Sequence, residues 1–426
     1  MSRVLTRRRL LATAVVAVAT SVALTACGSS ETPTNNTTAL SGTITFWHAY
    51  SADSQEVKTL EQVIIPAFKA KHPGTDVKQV AVPYDQLHQK LLTAAAGSDL
   101  PDVVRSDIAW VPELAKIGIL EQLDASMPDF SQLSAKVFPG TLATNKYKGK
   151  YYGLPLDTNT RVEMYSEAAL AKAGVTTAPK TFEDLKALGD KLNGSGVFAF
   201  ADNGLSGWNV LPWIWSAGGD ITDKDYTKAT GYLNSAASVA GVQLLFDLYQ
   251  KQQMPNIVLG GTGGMPTSDG LATAKYATIL DGPWMYPIFA GAHPDFKLQV
   301  AAVPAGPGGS VSVVGGEDVV VVKQSKNKAL ALEFTRYLLS AEAQLAFAKV
   351  GQMSVLQNLD VVSVNPNYRA FVEQLKTARP RPVVPSWPKI DDLLQKKLQS
   401  AFKGDLTVQA ALDQAATEID TLLAQG

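Results

Sequence analysis

Residues 43–104 read TITFWHAYSADSQEVKTLEQVIIPAFKAKHPGTDVKQVAVPYDQLHQKLLTAAAGSDLPDVV, and this run decides the fold. Residues 43–47 alternate polar and apolar, the period of a strand. Val57, Leu60, Ile64, Ala67 and Phe68 then recur at helical spacing, until His72-Pro73-Gly74 stops the helix. Pro66 lies inside that stretch, has no N–H to donate, and predicts a kink. Residues 77–82 read as a second strand, 85–96 as a second helix and 102–104 as a third short strand, with helix again over 110–116. Strand alternating with helix across short turns predicts an α/β layer with a mostly parallel sheet. Such sheets bind ligands beyond the carboxyl ends of their strands, which singles out Trp47-His48 and Asp107.

Upstream of that run the chain carries an address. Arg3, Arg7, Arg8 and Arg9 precede LLATAVVAVATSVALTA at 10–26, which ends at Cys27. A basic start, a short apolar stretch and small residues before a cleavage point make a secretory signal peptide. As a membrane anchor the stretch is at the short limit, and no second segment follows. Leu24-Thr25-Ala26-Cys27 resembles a bacterial lipobox, in which the cysteine is acylated and becomes the mature N-terminus. Two acyl chains hold firmly where one is marginal. The chain's one cysteine stands at that position. Thr6-Arg7-Arg8-Arg9-Leu10-Leu11 also resembles a twin-arginine signal, and Sec export fits as well. Residues 27–41 (CGSSETPTNNTTALS) are small, polar and unpatterned, as a flexible tether should be. The expected location is the outer face of the cytoplasmic membrane.

Composition excludes several classes. The chain has 426 residues, too many for one compact core and enough for two or three. Hydrophobic residues make up 46% and charged residues 18%, which excludes a disordered or fibrous chain. A net charge of −1 gives no basic field for nucleic acid. One cysteine excludes a disulfide framework or a Cys-rich zinc site, and the four histidines (48, 72, 88, 293) contain no pair at metal-ligand spacing. No metal or cofactor is expected.

Downstream, residues 151–219 hold Trp208, Trp213 and Trp215 among several glycines. Residues 329–348 read as a long amphipathic helix, and 390–423 as helix broken at Lys403-Gly404-Asp405. Eight segments, in order, then resemble the family 1 extracellular solute-binding proteins, the sugar receptors of ABC importers typified by maltose-binding protein. They are 43–48 (TITFWH), 94–104 (AAAGSDLPDVV), 148–159 (KGKYYGLPLDTN), 179–185 (PKTFEDL, with Thr181 as a helix cap), 217–220 (AGGD), 281–284 (DGPW), Gly315-Gly316 and 341–351. Each is weak alone, and together they cover nearly all of 42–426.

The resemblance implies an α/β, two-lobed periplasmic-binding-protein-like fold of type II, the maltose-binding-protein class, with three crossovers between lobes. Carried over, the first lobe holds 42–156 and 313–352, and the second 157–312 and 353–426. It also implies a monomer that closes by hinge motion on a carbohydrate, a di- or oligosaccharide such as an α-glucoside, and delivers it to the transmembrane subunits of an ABC permease.

A pyranose offers flat C–H faces and rings of hydroxyls, so its receptor needs aromatic platforms with carboxylates, amides and arginines converging on hydroxyl pairs. Residues 380–387 (PRPVVPSW) resemble a run in trehalose/maltose-type binding proteins whose arginine binds sugar, which makes Arg381 the leading polar candidate. The plainer reading is a surface arginine in a stiff loop. Asp107 follows the third strand, where it would serve equally as a helix cap. Glu56 matches an acidic ligand residue of that subgroup, and a solvated helix face explains it too. Trp284 is the expected stacking platform, unless it is core. Trp213 and Trp215 would share a face on a strand and diverge on a helix, with core the commoner fate of both. Asp157 and Asn159 follow the first crossover. In Gly315-Gly316-Glu317, many relatives carry an aromatic where Glu317 stands, which implies an extra polar contact for Gly316 and Glu317. Trp47 and Asp85 complete the set.

Two other classes remain. A secreted glycoside hydrolase also sets carboxyls and tryptophans in a cleft, but needs two carboxyls about 5–5.5 or 6.5–9.5 Å apart, and no such motif is present. Gly194-Ser195-Gly196 lacks the nucleophile-elbow spacing, and the glycines at 260–264 lack a phosphate-loop lysine. The third class is a sugar-sensing lipoprotein not coupled to import.

Overall fold

The structure is a computed structural model that describes residues 40–97, 99–260 and 264–425. The expected signal peptide, Cys27 and most of the expected tether lie outside the described residues, as does the centre of the glycine cluster at 260–264. In chain order the strands are β1 (Gly42–His48), β2 (Thr75–Ala81), β3 (Val103–Asp107), β4 (Lys146–Tyr147), β5 (Lys150–Tyr151), β6 (Leu154–Thr160), β7 (Val162–Tyr165), β8 (Phe198–Ala201), β9 (Tyr276–Asp281), β10 (Gln299–Ala301) and β11 (Val314–Val321).

These strands form a five-stranded sheet of order β2-β1-β3-β11-β6, a four-stranded sheet of order β10-β7-β9-β8, and the hairpin β4-β5. β1 runs parallel to β2 and β3, as the alternation of strand and helix requires. β11 is antiparallel to both β3 and β6. The expected mostly parallel sheet is therefore mixed. β6 leaves for the second sheet and β11 returns from it, so neither is held to the parallel direction by a crossover helix.

Local signals explain most elements. Ile44, Phe46 and His48 of β1 are buried on one face, while Thr45 and Trp47 point to the other. Ser54 caps the helix that follows by accepting the Val57 N–H. The helical path over 55–71 widens into a π-helical turn at Leu60–Ile64, one residue before Ile65-Pro66. The proline ring crowds the carbonyl four residues back and offers no N–H, and the wider turn accommodates both. Phe68 and Phe46 both meet Phe334 edge-on, at 5.1 and 5.5 Å between ring centres, and fix the first core.

Thr181 and Asp184 form a capping box, as PKTFEDL predicts. The helix expected over 329–348 is two, Lys328–Leu338 and Ala341–Ala348, because Ser340 turns its hydroxyl to the Ala343 N–H and starts a new helix. The tail splits into Trp387–Phe402 and Val408–Ala424, with Gly404 at φ +89° in the break and Thr407 capping the second piece.

The chain passes between the sheets at three places. β6 ends at Thr160 in the first sheet and β7 begins at Val162 in the second, so the first passage is at Arg161, a few residues beyond 156. The second lies between β10 and β11. The third comes after Leu356, still in the first core, and before Tyr368, which packs in the second. Ser312 donates to the Arg161 carbonyl at 2.7 Å and Thr160 to that of Val313 at 2.8 Å, which staples the first two passages together.

Candidate functional site

Glu317 of β11 stands opposite Asp107 of β3 on one side and Asp157 of β6 on the other. Paired residues share a face, so three carboxyl groups line up across the first sheet's rim. Directly opposed like charges repel, and Asp107 and Asp157 are only 6% and 3% exposed. Gly316 makes the row possible. The β11–β6 register shifts just after Glu317, and Gly316 sits at φ +134°, a backbone state that a bulge can use and a side chain resists.

Two guanidiniums answer the row. Arg105 lies two residues before Asp107 on the same face, 2.6 Å from Glu317 and 3.2 Å from Asp157. It stacks over Tyr50 at 4.1 Å and donates to Gln352 at 3.2 Å. Gln352 donates in turn to Glu56 at 3.0 Å, so Glu56 belongs to a buried network and is no solvated helix face. Arg381 reaches Asp107 at 2.8 Å from the loop before the Trp387–Phe402 helix, which packs on the Gly207–Ser216 helix of the second half. It is 7% exposed, which excludes the surface-loop reading. Asp107 also accepts from the Tyr84 hydroxyl at 2.6 Å and the Ala109 N–H at 2.7 Å, so it caps a turn as well as binding a cation.

The charges leave their mark. Burial raises the Glu317 carboxyl well above the usual range; Arg105 draws it back, and Asp157 and Asp107 push it up again. Asp391, whose carboxylate accepts the Gly207 N–H, is raised to about 6 by burial, which that hydrogen bond and Arg381 offset only in part. The folded state thus holds this proton more tightly than the unfolded chain. The resulting stability is present below 3.8 and lost as pH rises through about 6. Asp391→Asn keeps an acceptor for Gly207 and removes the titration. Its melting temperature is expected to gain on the parent's between about pH 4 and 7, by roughly 2 °C at the upper end. A difference that stays flat with pH would show that Asp391 does not titrate in this range.

An aromatic pair adjoins the row. Trp208 and Trp284 stand 6.2 Å apart with 33° between their planes. Arg161 and Arg381 lie 5.7 and 5.8 Å from the Trp208 ring centre. A Cβ on Gly315 would come within 2.6 Å of the Trp208 ring and 2.2 Å of Asn159 Oδ1, so this glycine lets the ring approach β11. Asn159 is 5% exposed with its Oδ1 unpartnered, as is Asp157 Oδ1. Arg161, at the first passage, holds both Asp202 oxygens at 2.8 and 2.9 Å and donates to the carbonyls of Trp208, at 3.1 Å, and Leu280.

The remaining sequence candidates stand elsewhere. Trp213 is fully buried between Phe182 and Phe200, so its indole is core and no platform. On the Gly207–Ser216 helix, residues five apart point about 140° away from each other, which sends Trp208 and Trp213 to different sides. Trp215 donates to Asp220 at 3.0 Å beneath Arg379. Trp47 pairs with Val104 and so shares its face of the sheet, opposite that of Arg105 and Asp107, with the Lys90 ammonium 4.4 Å above its ring. Asp85 points to solvent from the first turn of the Tyr84–Gly97 helix. Gly316 acts through its backbone. A Cβ there would meet the Asp157 carbonyl oxygen at 2.4 Å, so Gly316→Ala is expected to lose about 3 kcal/mol or more in urea unfolding. An unchanged midpoint would show that the strand shifts freely.

Arg105, Tyr84, Arg161, Trp208 and Gln352 join the site without having been singled out in the sequence. An open depression of about 540 Å³, lined by Ser166, His293 and Phe296 among others, contains none of these groups.

A two-sheet fold crossed three times by the chain, with charged and aromatic groups converging from both halves, describes a binding protein of the maltose-binding class. The sequence profile of the bacterial extracellular solute-binding protein family matches residues 51–345, and the chain belongs to that family. It is 24% identical to the diacetylchitobiose-binding protein DasA of Streptomyces coelicolor, over 98% of this chain and 99% of that one. It is 25% identical to the maltooligosaccharide ABC transporter solute-binding lipoprotein of Streptococcus pneumoniae, over 79% of each. The GacH receptor of Streptomyces glaucescens, solved unliganded and with acarbose, superposes with a TM-score of 0.80 at 25% identity, covering 90% of this chain and 99% of that one.

Proposed function

We propose that this protein is the lipid-anchored, extracellular receptor of an ABC importer. It takes up a carbohydrate, a di- or oligosaccharide, between its two halves and passes it intact to the transmembrane subunits of a permease. The observation that carries this reading is the convergence of Asp107, Asp157, Glu317, Arg105 and Arg381 beside the Trp208–Trp284 pair. Such a set matches a pyranose, with indole for its C–H faces and ionic groups for its hydroxyls. The sugars named for the relatives and the solved neighbour agree with it.

In this reading Arg381, Asp107, Trp284, Glu317, Asp157, Asn159 and Trp208 touch the ligand, while Glu56 acts through Gln352. The two sheets with their helices are the moving lobes, and Cys27 carries the acyl chains. A thermal-shift screen across mono- and disaccharides tests it, because a ligand that binds the native state raises its melting temperature by mass action. A panel without a single shift refutes carbohydrate binding. Release of glucose from maltose or trehalose would identify a hydrolase instead.

A further inference from the structure

We propose that the site admits donor-rich saccharides without negative charge and rejects sugar acids, and that the Asp107–Glu317–Asp157 row is what rejects them. The inference rests on the carbohydrate reading above and adds the ligand's charge class to it.

Charge is the first ground. Arg105 is faced by Glu317, Asp157 and Glu56, and Arg381 by Asp107 and Asp391, so each cation is already outnumbered by its own neighbours. A ligand carboxylate or phosphate would add a further negative charge beside Asp107 and Asp157, 6% and 3% exposed, where water screens little.

The second ground is the cost of freeing a cation. Arg381, the guanidinium a uronate would seek, is 2.8 Å from Asp107 and stacked near Trp208. A uronate on the free Nε would share the cation with Asp107, and drawing the guanidinium away altogether would leave Asp107 buried without a counter-charge, which proteins tolerate poorly.

Hydrogen-bonding valence is the third. The buried side-chain atoms without partners at the rim include two acceptors, Asp157 Oδ1 and Asn159 Oδ1, and two donors, Arg105 Nε and Arg381 Nε. A hydroxyl donates and accepts at once, so it satisfies acceptor and donor together. A carboxylate only accepts, and would leave Asp157 and Asn159 unpaired at a penalty.

Calorimetric titration with matched pairs tests this. Maltose, trehalose, cellobiose and galactobiose are each compared with the derivative in which one C6 hydroxymethyl is oxidised to a carboxylate. In every pair whose neutral member binds, the acid is expected to bind at least tenfold more weakly, and about 100-fold where the carboxylate falls at the row. An acid within tenfold of its neutral partner, or one that binds where the partner does not, overturns the inference and leaves carbohydrate binding standing. Silence from every member defeats the carbohydrate reading itself. Glu317→Gln and Asp157→Asn, each checked for folding by its melting curve, should narrow the neutral-to-acid ratio at least threefold. An unchanged ratio in the folded variants would take the rejection away from the row.

Discussion

Arg381→Ala is expected to weaken sugar binding by about 2–4 kcal/mol, roughly 30- to 1000-fold. The guanidinium is the cation that the second half lends to the acidic rim of the first, through its 2.8 Å contact with Asp107. Its loss leaves Asp107 with the Tyr84 hydroxyl and the Ala109 N–H and no counter-charge. A buried, unpaired carboxylate costs several kcal/mol, so the variant should relieve it by opening and letting water in. The ligand-free variant should therefore show a larger radius of gyration in X-ray scattering, with little change in melting temperature. Wild-type affinity together with wild-type dimensions would show that the ion pair is incidental.

The second large effect falls on stability. Arg105→Met should lose about 3–5 kcal/mol in urea unfolding, because Asp157, Glu317 and Glu56 then share a buried space without their cation. Combining it with Asp157→Asn and Glu317→Gln should recover more than half of the loss, since the deficit comes from uncompensated charge and not from packing. If the triple variant is no more stable than Arg105→Met alone, then the arginine's stack on Tyr50 carries the stability instead.

The parts of this architecture that sequence made legible are those set by near neighbours. Alternation at 43–47, helical spacing at 57–68 and the Thr181–Asp184 cap each act over a few residues, and each is found in the structure. The split at Ser340 was equally local, but a hydroxyl inside an amphipathic run reads as one more polar position until the backbone shows it capping. Long-range pairs were another matter. Arg105 meets partners 52 and 247 residues away, and Arg161 meets Asp202 at a separation of 41. In a strand reading VVRSD nothing local marks an arginine as the hub of a charge network. Arg381 and Asp107 were legible one at a time, through resemblance and strand-end position, but their contact spans 274 residues. Trp208 is hard to single out for a geometric reason. In sequence the facing of Trp213 and Trp215 depends on helix or strand, whereas the helix turns Trp208 to the site and Trp213 to the interior.

Arg161 sits where the chain first passes between sheets, and its guanidinium grips the carbonyls of Trp208 and Leu280. In any swinging motion the points nearest the axis travel least. The indole braced from that pivot should thus hold almost the same pose whether the jaws gape or shut, and so should Arg381, which lies 5.8 Å from the same ring on a loop tied to the passage by the Arg379 N–H on the Ser312 carbonyl. A guest arriving in the mouth would find one plate and its neighbouring cation already set.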